Sequence, residues 1–340
     1  MIGEVLEQVR RGGSLGREQM HDVIREIMEG KAAESEVEEL LSLLHARGET
    51  LDEVVGAAQA MRELALPLPP APTGAIDTCG TGGDGSHTFN ISTLAALVVA
   101  GAGLPVAKHG NRAATSRCGS ADVLEALGVN LDIAPERMAE SVHEIGIGFL
   151  FARACHPAMA RVAPIRARLA TPTIFNRLGP LTNPMGVKRQ LVGVAKASLC
   201  APTSSALAEL GAETVWVVHA RDGLDEVSTC DVSEFRVYAK AAHSRFELEP
   251  GNLLPRARLE ELRGGDAAEN AEIARRVLEG ESGPRRDIVL LNAAAALCVA
   301  GRAASLAEGL EPAREAIDSG AAKALLERWI SFCAQQGAST

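Results

Sequence analysis

Residues 77–93 and 108–112 carry the groups that holding a phosphate would need. Asp77-Thr78-Cys79-Gly80-Thr81-Gly82-Gly83-Asp84-Gly85 places four glycines within six residues, and Asn90-Ile91-Ser92-Thr93 and Lys108-His109-Gly110-Asn111-Arg112 follow it. Glycine frees the backbone for positive φ and close approach to a ligand, and successive N–H groups in such a loop form a concave anion site. Lys108 adds a point charge. Thr88 and Asn90–Thr93 read as a helix start, where free N–H groups and the helix dipole favour phosphate. Asp84 would repel an anion unless a metal, a lysine or a hydroxyl lies between them. Asp225-Glu226, just after the apolar run Val215–His219, is the metal candidate. An adjacent acid pair is ordinarily a solvated surface, but on a loop at a strand end the two can converge or bridge ions. Mg²⁺ takes one or two carboxylates together with phosphate oxygens and waters.

Two common phosphate loops do not fit. Gly80–Gly85 satisfies G-x-G-x-x-G, but the dinucleotide version needs its helix to begin inside the glycines and an acidic residue roughly 20 positions later. Here the helical pattern starts near Ile91, and the next strand ends on Lys108-His109. A G-x-x-x-x-G-K-[ST] loop does not occur.

The elements that must position these groups alternate. Strands are predicted over Ala75–Thr78, Pro105–Lys108, Val129–Asp132, Gly148–Phe151, Leu191–Val194, Val215–His219 and Phe235–Tyr238. Helices are predicted over Asn90–Ala102, Ala121–Leu127, Pro135–Ile145, Pro157–Leu169, Thr203–Leu210, Ala267–Leu278, Asp287–Ala300, Leu306–Ser319 and Ala321–Phe332. That alternation predicts an α/β fold with a mainly parallel central sheet. Residues 1–66 read instead as four short helices forming a small N-terminal domain. Gly12, Gly30 and Gly48 stand at C-terminal stops, and Ser35-x-x-Glu38 and Thr50-x-x-Glu53 have capping-box spacing. Residues 67–74 are the expected linker and hinge, within a nine-residue run, Leu66–Gly74, that holds four prolines. Residues 75–340 form the expected large domain.

Composition narrows the class. A length of 340 residues favours two unequal domains. A net charge of −10 and 3% aromatic content argue against nucleic acid as a partner. Seven scattered cysteines without a C-x-x-C pair read as reduced thiols of a cytoplasmic protein. The N-terminus lacks signal-peptide character. The apolar run Ile288–Ala300, interrupted by Asn292, is too short to span a bilayer, so no membrane association is expected.

Together the motifs resemble the anthranilate phosphoribosyltransferase family of tryptophan biosynthesis. The resemblance rests on Gly80–Gly85, Asn90–Thr93, Lys108–Arg112, Gly119–Gly128, Pro164-Ile165-Arg166, Thr173–Pro184 and Gly223–Glu226. It runs from about residue 1 to the C-terminus. It implies a phosphorylase/phosphoribosyltransferase-like fold, with part of 165–190 returning to the helical domain and a homodimer formed through that domain. The implied reaction moves a phosphoribosyl group from phosphoribosyl pyrophosphate (PRPP) to the amine of anthranilate. By resemblance, PRPP falls to Gly80, Gly82, Gly83, Asp84, Thr88, Asn90, Ile91, Ser92, Thr93, Lys108, Asn111, Arg112, Ala113, Ala114, Thr115, Ser116 and Ser120. Anthranilate falls to Gly80, His109, Asn111 and Arg166. Mg²⁺, two ions per subunit, falls to Ser92, Asp225 and Glu226. An aromatic amine is unprotonated at neutral pH, so no general base is assigned.

One departure stands out. After Arg168 the family usually reads leucine-glycine-x-arginine-threonine, whereas this chain has Leu169-Ala170-Thr171-Pro172-Thr173. The change bears on local bending and domain closure more than on the substrate residues. Two other functions compete: a pyrimidine nucleoside phosphorylase, which carries lysine-histidine-serine-threonine-glycine-glycine in its loop, and a nucleic-acid-binding relative, which would lose the metal carboxylates and gain a basic face. This chain has neither feature.

Overall fold

A computed structural model describes residues 2–113 and 117–335. The chain opens with four helices, α1 (Ile2–Arg10), α2 (Arg17–Met28), α3 (Glu34–Arg47) and α4 (Leu51–Glu63). Gly12, Gly30 and Gly48 close the first three with φ of 79°, 75° and 87°, as their type predicts. The Thr50–Glu53 capping box forms, and Glu53, fully buried, also accepts the N–H of Leu15 at 2.8 Å and pairs with Arg47. The Ser35–Glu38 box does not form. α3 starts two residues earlier, its cap is Ala33 with Glu36, and Glu38 instead pairs with Arg168 at 2.5 Å.

The remainder follows as β1 (Ile76–Gly80), α5 (Ile91–Gly101), β2 (Val106–Gly110), α6 (Ser120–Leu127), α7 (Pro135–Glu144) and β3 (Ile147–Phe151). Next come α8 (Ala152–Cys155), α9 (Met159–Leu169), α10 (Phe175–Leu178), β4 (Arg189–Gly193), α11 (Cys200–Glu209), β5 (Thr214–Ala220), β6 (Ser233–Ala239) and β7 (Ala242–Leu248). The chain ends in α12 (Ala267–Leu278), α13 (Pro284–Val299), α14 (Leu306–Asp318) and α15 (Ala321–Ala334). One sheet runs in the order β3-β2-β1-β4-β5-β6-β7, parallel through β5 and antiparallel beyond. The fold class is therefore α/β, with a helical N-terminal unit.

One strand prediction needs correcting, and one strand was not predicted. Val129–Asp132 is not a strand. Gly128 ends α6 at φ 104°, Asn130 Oδ1 accepts the N–H of Asp132 at 3.0 Å, and the buried Val129 and Leu131 pack without a ladder. β7 was not foreseen because its residues are mostly exposed and its hairpin turn is Lys240-Ala241, both at positive φ (51° and 57°), without the usual glycine or asparagine.

The core divides over the two sheet faces. α5, apolar nearly all round, lies against β1 among α13, α14 and α15. On the other face, α1–α4 share a core with Val162 and Ile165 of α9, Phe175 and Leu178 of α10, Val192, Val215 and Val217 of the sheet, and Val194 just past β4. The proline-rich stretch is irregular but tied, Leu66 N–H donating to Cys155 O and Ala71 N–H to Met185 O, each at 2.9 Å. Among the described residues no helix is long and apolar enough to cross a membrane. The apolar run that includes Asn292 lies buried in α13.

Candidate active site

The parallel strands deliver the predicted groups to one edge. β1 ends at Gly80, and the loop beyond takes Gly82, Gly83 and Gly85 through φ of 63°, 83° and 71°. A side chain would strain each of these positions. The Thr81 N–H donates to Gly193 O on β4 at 2.9 Å, and the Gly82 N–H donates to Asp225 Oδ2 at 2.9 Å. Asp84 turns back on its own loop and accepts the Ser86 hydroxyl at 2.5 Å. Thr88 bridges to Arg263. Asn90 precedes α5 but does not cap it; its amide donates to Cys118 O at 3.2 Å and accepts from Asn270 Nδ2 at 3.0 Å. Ile91 and Thr93 face the core, leaving Ser92 as the partly exposed side chain of that turn.

Between β1 and β2 the sheet opens. Their only registered pair is Ile76 with Val106. Beyond it the Asp77 carboxylate accepts the His109 N–H at 3.2 Å and Asn183 Nδ2 at 2.9 Å, and Asn183 Nδ2 also donates to Ala107 O at 2.9 Å. Lys108, 4% exposed, crosses the gap to Thr78 O and lies 3.4 Å from Ser92 Oγ. Burial pushes the Asp77 carboxyl up to about 6, against the opposing pull of Lys108 and its hydrogen bonds.

Asp225 and Glu226 stand on the loop after β5, and two glycines make room for them. A Cβ on Gly193 would fall 1.6 Å from Asp225 O, and one on Gly80 would fall 2.7 Å from Asp225 Oδ2. Glu226 Oε1 accepts the Ser92 N–H at 3.2 Å. Both carboxyls are raised well above the ordinary acid range. Loss of hydration is the main cause, followed by like charge: Asp84 acts on Asp225, and Asp225 acts on Glu226. Their surface is only partly covered, yet protein surrounds them closely enough to strip much of their water. Asp225 and Glu226 are the residues here that could hold a cation.

His109 and Arg166 form a second group. His109 Nδ1 donates to Gly179 O at 2.9 Å, while Nε2 is buried without a protein partner. Its ring lies 5.2 Å from that of His156. Burial, then proximity to His156, lowers His109 to about 3; burial lowers His156 to about 4. Both rings are neutral at physiological pH. Arg166, half-buried on α9, donates to Asn176 Oδ1 at 3.2 Å and has no carboxylate partner among the described residues. Burial lowers its pKa. Ala170, at the departure from the family pattern, ends α9 at φ 50°, where glycine is the usual residue.

The last segment is arranged differently. The Arg112 guanidinium pairs with Asp122 at 2.9 Å and Glu125 at 2.6 Å on α6. Asp122 also accepts the N–H groups of Ala113 and Gly119, and Ser120 Oγ donates to Asn111 O at 3.1 Å. Ala114, Thr115 and Ser116 lie outside the described residues. Sequence reasoning did not assign a site role to Asp77, Asn183, Gly193, Asn270 or Asn292. Gly193 carried a signal, since an isolated glycine in a strand marks a close backbone approach.

Comparison with known proteins is concordant. Residues 3–65 match the glycosyl transferase family, helical bundle domain, and residues 72–323 match the glycosyl transferase family, a/b domain. The anthranilate phosphoribosyltransferase of Rhodopseudomonas palustris is 49% identical over 97% of this chain and 98% of its own. The crystal structure of the Thermus thermophilus enzyme of that name superposes with TM-score 0.91 at 46% identity, covering 97% of this chain and 99% of that one. The Saccharomyces cerevisiae enzyme in complex with PRPP and Mg gives TM-score 0.87 at 29% identity, covering 98% and 97%. Its complex with 4-fluoroanthranilate gives 0.86 at 27%, again covering 98% and 97%. By sequence over nearly its whole length, and by a fold that brings the glycine loop to the acid pair, the chain belongs to the anthranilate phosphoribosyltransferase family.

Proposed function

We propose that the protein transfers the phosphoribosyl group of PRPP to the amino nitrogen of anthranilate, giving N-(5-phosphoribosyl)anthranilate and pyrophosphate in tryptophan biosynthesis. The observation that carries this reading is the juxtaposition of Asp225 and Glu226 with the Gly80–Gly85 loop and Lys108. A nest of amides, one buried lysine and two under-hydrated acids suit a polyanion that arrives with a cation.

The donor set fits Mg²⁺. Asp225, Glu226 and the Ser92 hydroxyl offer only hard oxygen ligands. Among the described residues no three His, Cys, Asp or Glu side chains gather into a cage, so substrate oxygens and waters would have to complete the shell. We assign two ions per subunit to these three residues. Held by these residues, Mg²⁺ would supply positive charge to offset that growing on the departing pyrophosphate.

The chain's own groups do the rest. Gly80, Gly82, Gly83, Asn90, Ile91, Ser92 and Thr93 surround the phosphates through backbone and hydroxyl groups. Asp84 and Thr88 hold the loop's shape. Lys108 supplies positive potential as the C–O bond to pyrophosphate breaks, and Asn111, Arg112, Ala113, Ala114, Thr115, Ser116 and Ser120 complete the cradle. On the acceptor side Arg166 takes the anthranilate carboxylate, for which its guanidinium has two parallel donors. Gly80, Asn111 and His109 line the ring and amine, and the unpartnered Nε2 of His109 is an acceptor for an amine N–H. At about 3 His109 is too weak a base to lead the reaction. Catalysis therefore rests on positioning and charge stabilisation.

We assign residues 1–66, joined by part of 165–190, to a small domain that closes on the large one about residues 67–74. We also assign a homodimer formed through the helical domain, acting in the cytoplasm. Incubation with PRPP, Mg²⁺ and anthranilate, followed by loss of anthranilate fluorescence, tests the activity. A protein that consumes no anthranilate but phosphorolyses pyrimidine nucleosides would overturn the reading.

A further inference from the structure

Asn292 is out of place by sequence. It sits in α13 where every residue from Ile288 to Leu297 is buried, and it is 1% exposed. An amide in an apolar helix is costly unless its hydrogen bonds are met. Here they are met by one neighbour in particular. Asn292 Oδ1 accepts the N–H of Val227 at 2.9 Å, and Nδ2 donates to the carbonyls of Val227 and Ile288, each at 2.9 Å. The side chain thus grips both backbone groups of the residue that follows Glu226. Asn292 and Glu226 also line one cavity of about 10 Å³, together with Thr78 and Ser92. On the other side of Glu226, the Asp225 backbone passes directly over Gly193. The acid pair is therefore fixed at both ends, by a glycine that admits it and an asparagine that holds it.

We infer that Asn292 is a positioning residue for Asp225 and Glu226 and sets the geometry of the divalent-cation site through the Val227 backbone. The inference rests on the reading of those acids as metal-holding groups. An apolar residue of similar size would keep the helix packed but leave two buried backbone groups of Val227 unpaired. The loop would then shift to satisfy them and take the carboxylates with it.

The test uses the full chain at saturating PRPP, without anthranilate, with bound Mn²⁺ read by electron paramagnetic resonance against a PRPP-only blank. Asn292→Leu is expected to weaken Mn²⁺ binding on the order of 10–100-fold, the range typical of groups that orient metal ligands. It should also raise the Mg²⁺ concentration needed for half-maximal activity while the anthranilate KM stays put. Leu291→Ala, a truncation at the adjacent buried position, is expected to lower the melting temperature and leave Mn²⁺ binding unchanged. Wild-type affinity in folded Asn292→Leu, or an equal loss in Leu291→Ala, overturns the inference. If Asn292→Leu does not fold, Asn292→Ala is judged by the same two outcomes. The underlying reading is checked separately by Glu226→Ala: Mn²⁺ binding equal to wild type there would reject the acid pair as the metal site.

Discussion

The backbone N–H of Gly82 donates to Asp225 Oδ2 at 2.9 Å across 143 residues of sequence. One carboxylate thus shapes the glycine loop and, in the proposed chemistry, shares the cation. The same acid that would hold the metal also holds the phosphate loop.

Such an arrangement trades stability for function. Glu226→Gln retains an acceptor for the Ser92 N–H but removes a carboxyl whose ionisation is disfavoured by poor hydration and by Asp225. Thermal unfolding in EDTA should show the variant more stable by about 1 kcal/mol. Its activity in saturating Mg²⁺ should fall at least about 100-fold. A variant that is both fully active and no more stable would refute this account.

Gly193 allows no side chain. Alanine there would set its Cβ 1.6 Å from Asp225 O, a backbone atom that cannot swing aside. Gly193→Ala should cost about 1–3 kcal/mol or more by overpacking, and kcat/KM should drop with it. Gly3→Ala in α1, where the added methyl meets open space, serves as the control. Equal behaviour of the two in urea unfolding and turnover would show that the approach at Gly193 relaxes freely.

Arg166 separates anthranilate from an uncharged acceptor. Truncating a charge-paired arginine costs roughly 2–5 kcal/mol, or on the order of 30-fold to a few thousandfold. Arg166→Ala should lose that much in kcat/KM for anthranilate, with the PRPP KM far less affected. Arg166→Lys should recover only part, because an ammonium lacks the planar fork. Steady-state kinetics with each substrate varied will decide; unchanged anthranilate kinetics would place its carboxylate elsewhere.

Acid should unfold the protein partly through two histidines. Burial holds His109 near 3 and His156 near 4, below the unfolded value of about 6.5. The unfolded chain therefore binds more protons, and this contribution, complete above about pH 6.5, is lost as pH falls. From pH 7 to 5 each ring should remove about 2 kcal/mol. The raised acids Asp77, Asp225 and Glu226 act in the opposite sense: their contributions are present below about pH 4 and lost as pH rises, that of Asp77 through about 6. His156→Gln keeps a donor for Thr182 O and, by urea unfolding, should raise stability at pH 5 relative to pH 7 by about 2 kcal/mol over wild type. An unchanged slope would exclude His156 as a source.

Much of this was legible because local chemistry and global fold agree. The glycines of residues 80–85 announce a loop of positive φ, and Thr50 with Glu53 announces a helix start; both form as written. Ser35 and Glu38 have the same spacing and fail, since Arg168, far along the chain, claims Glu38. The alternation of Val129–Asp132 is satisfied by burial alone, whereas β7 pairs through backbone despite polar side chains. The supporting residues were the hardest to see. Asp77, Asn183 and Asn292 act through backbone groups of distant segments, and only the folded chain reveals which groups those are.

The opened seam between β1 and β2 bears on how this sequence can change over time. Loss of Asp77 strands the His109 amide, loss of Asn183 strands the Ala107 carbonyl, and loss of Lys108 leaves Asp77 without its counter-charge. Each single loss leaves one buried group unmet. The three positions are therefore one heritable unit, expected to persist together or to be exchanged together as descendants of this chain diverge.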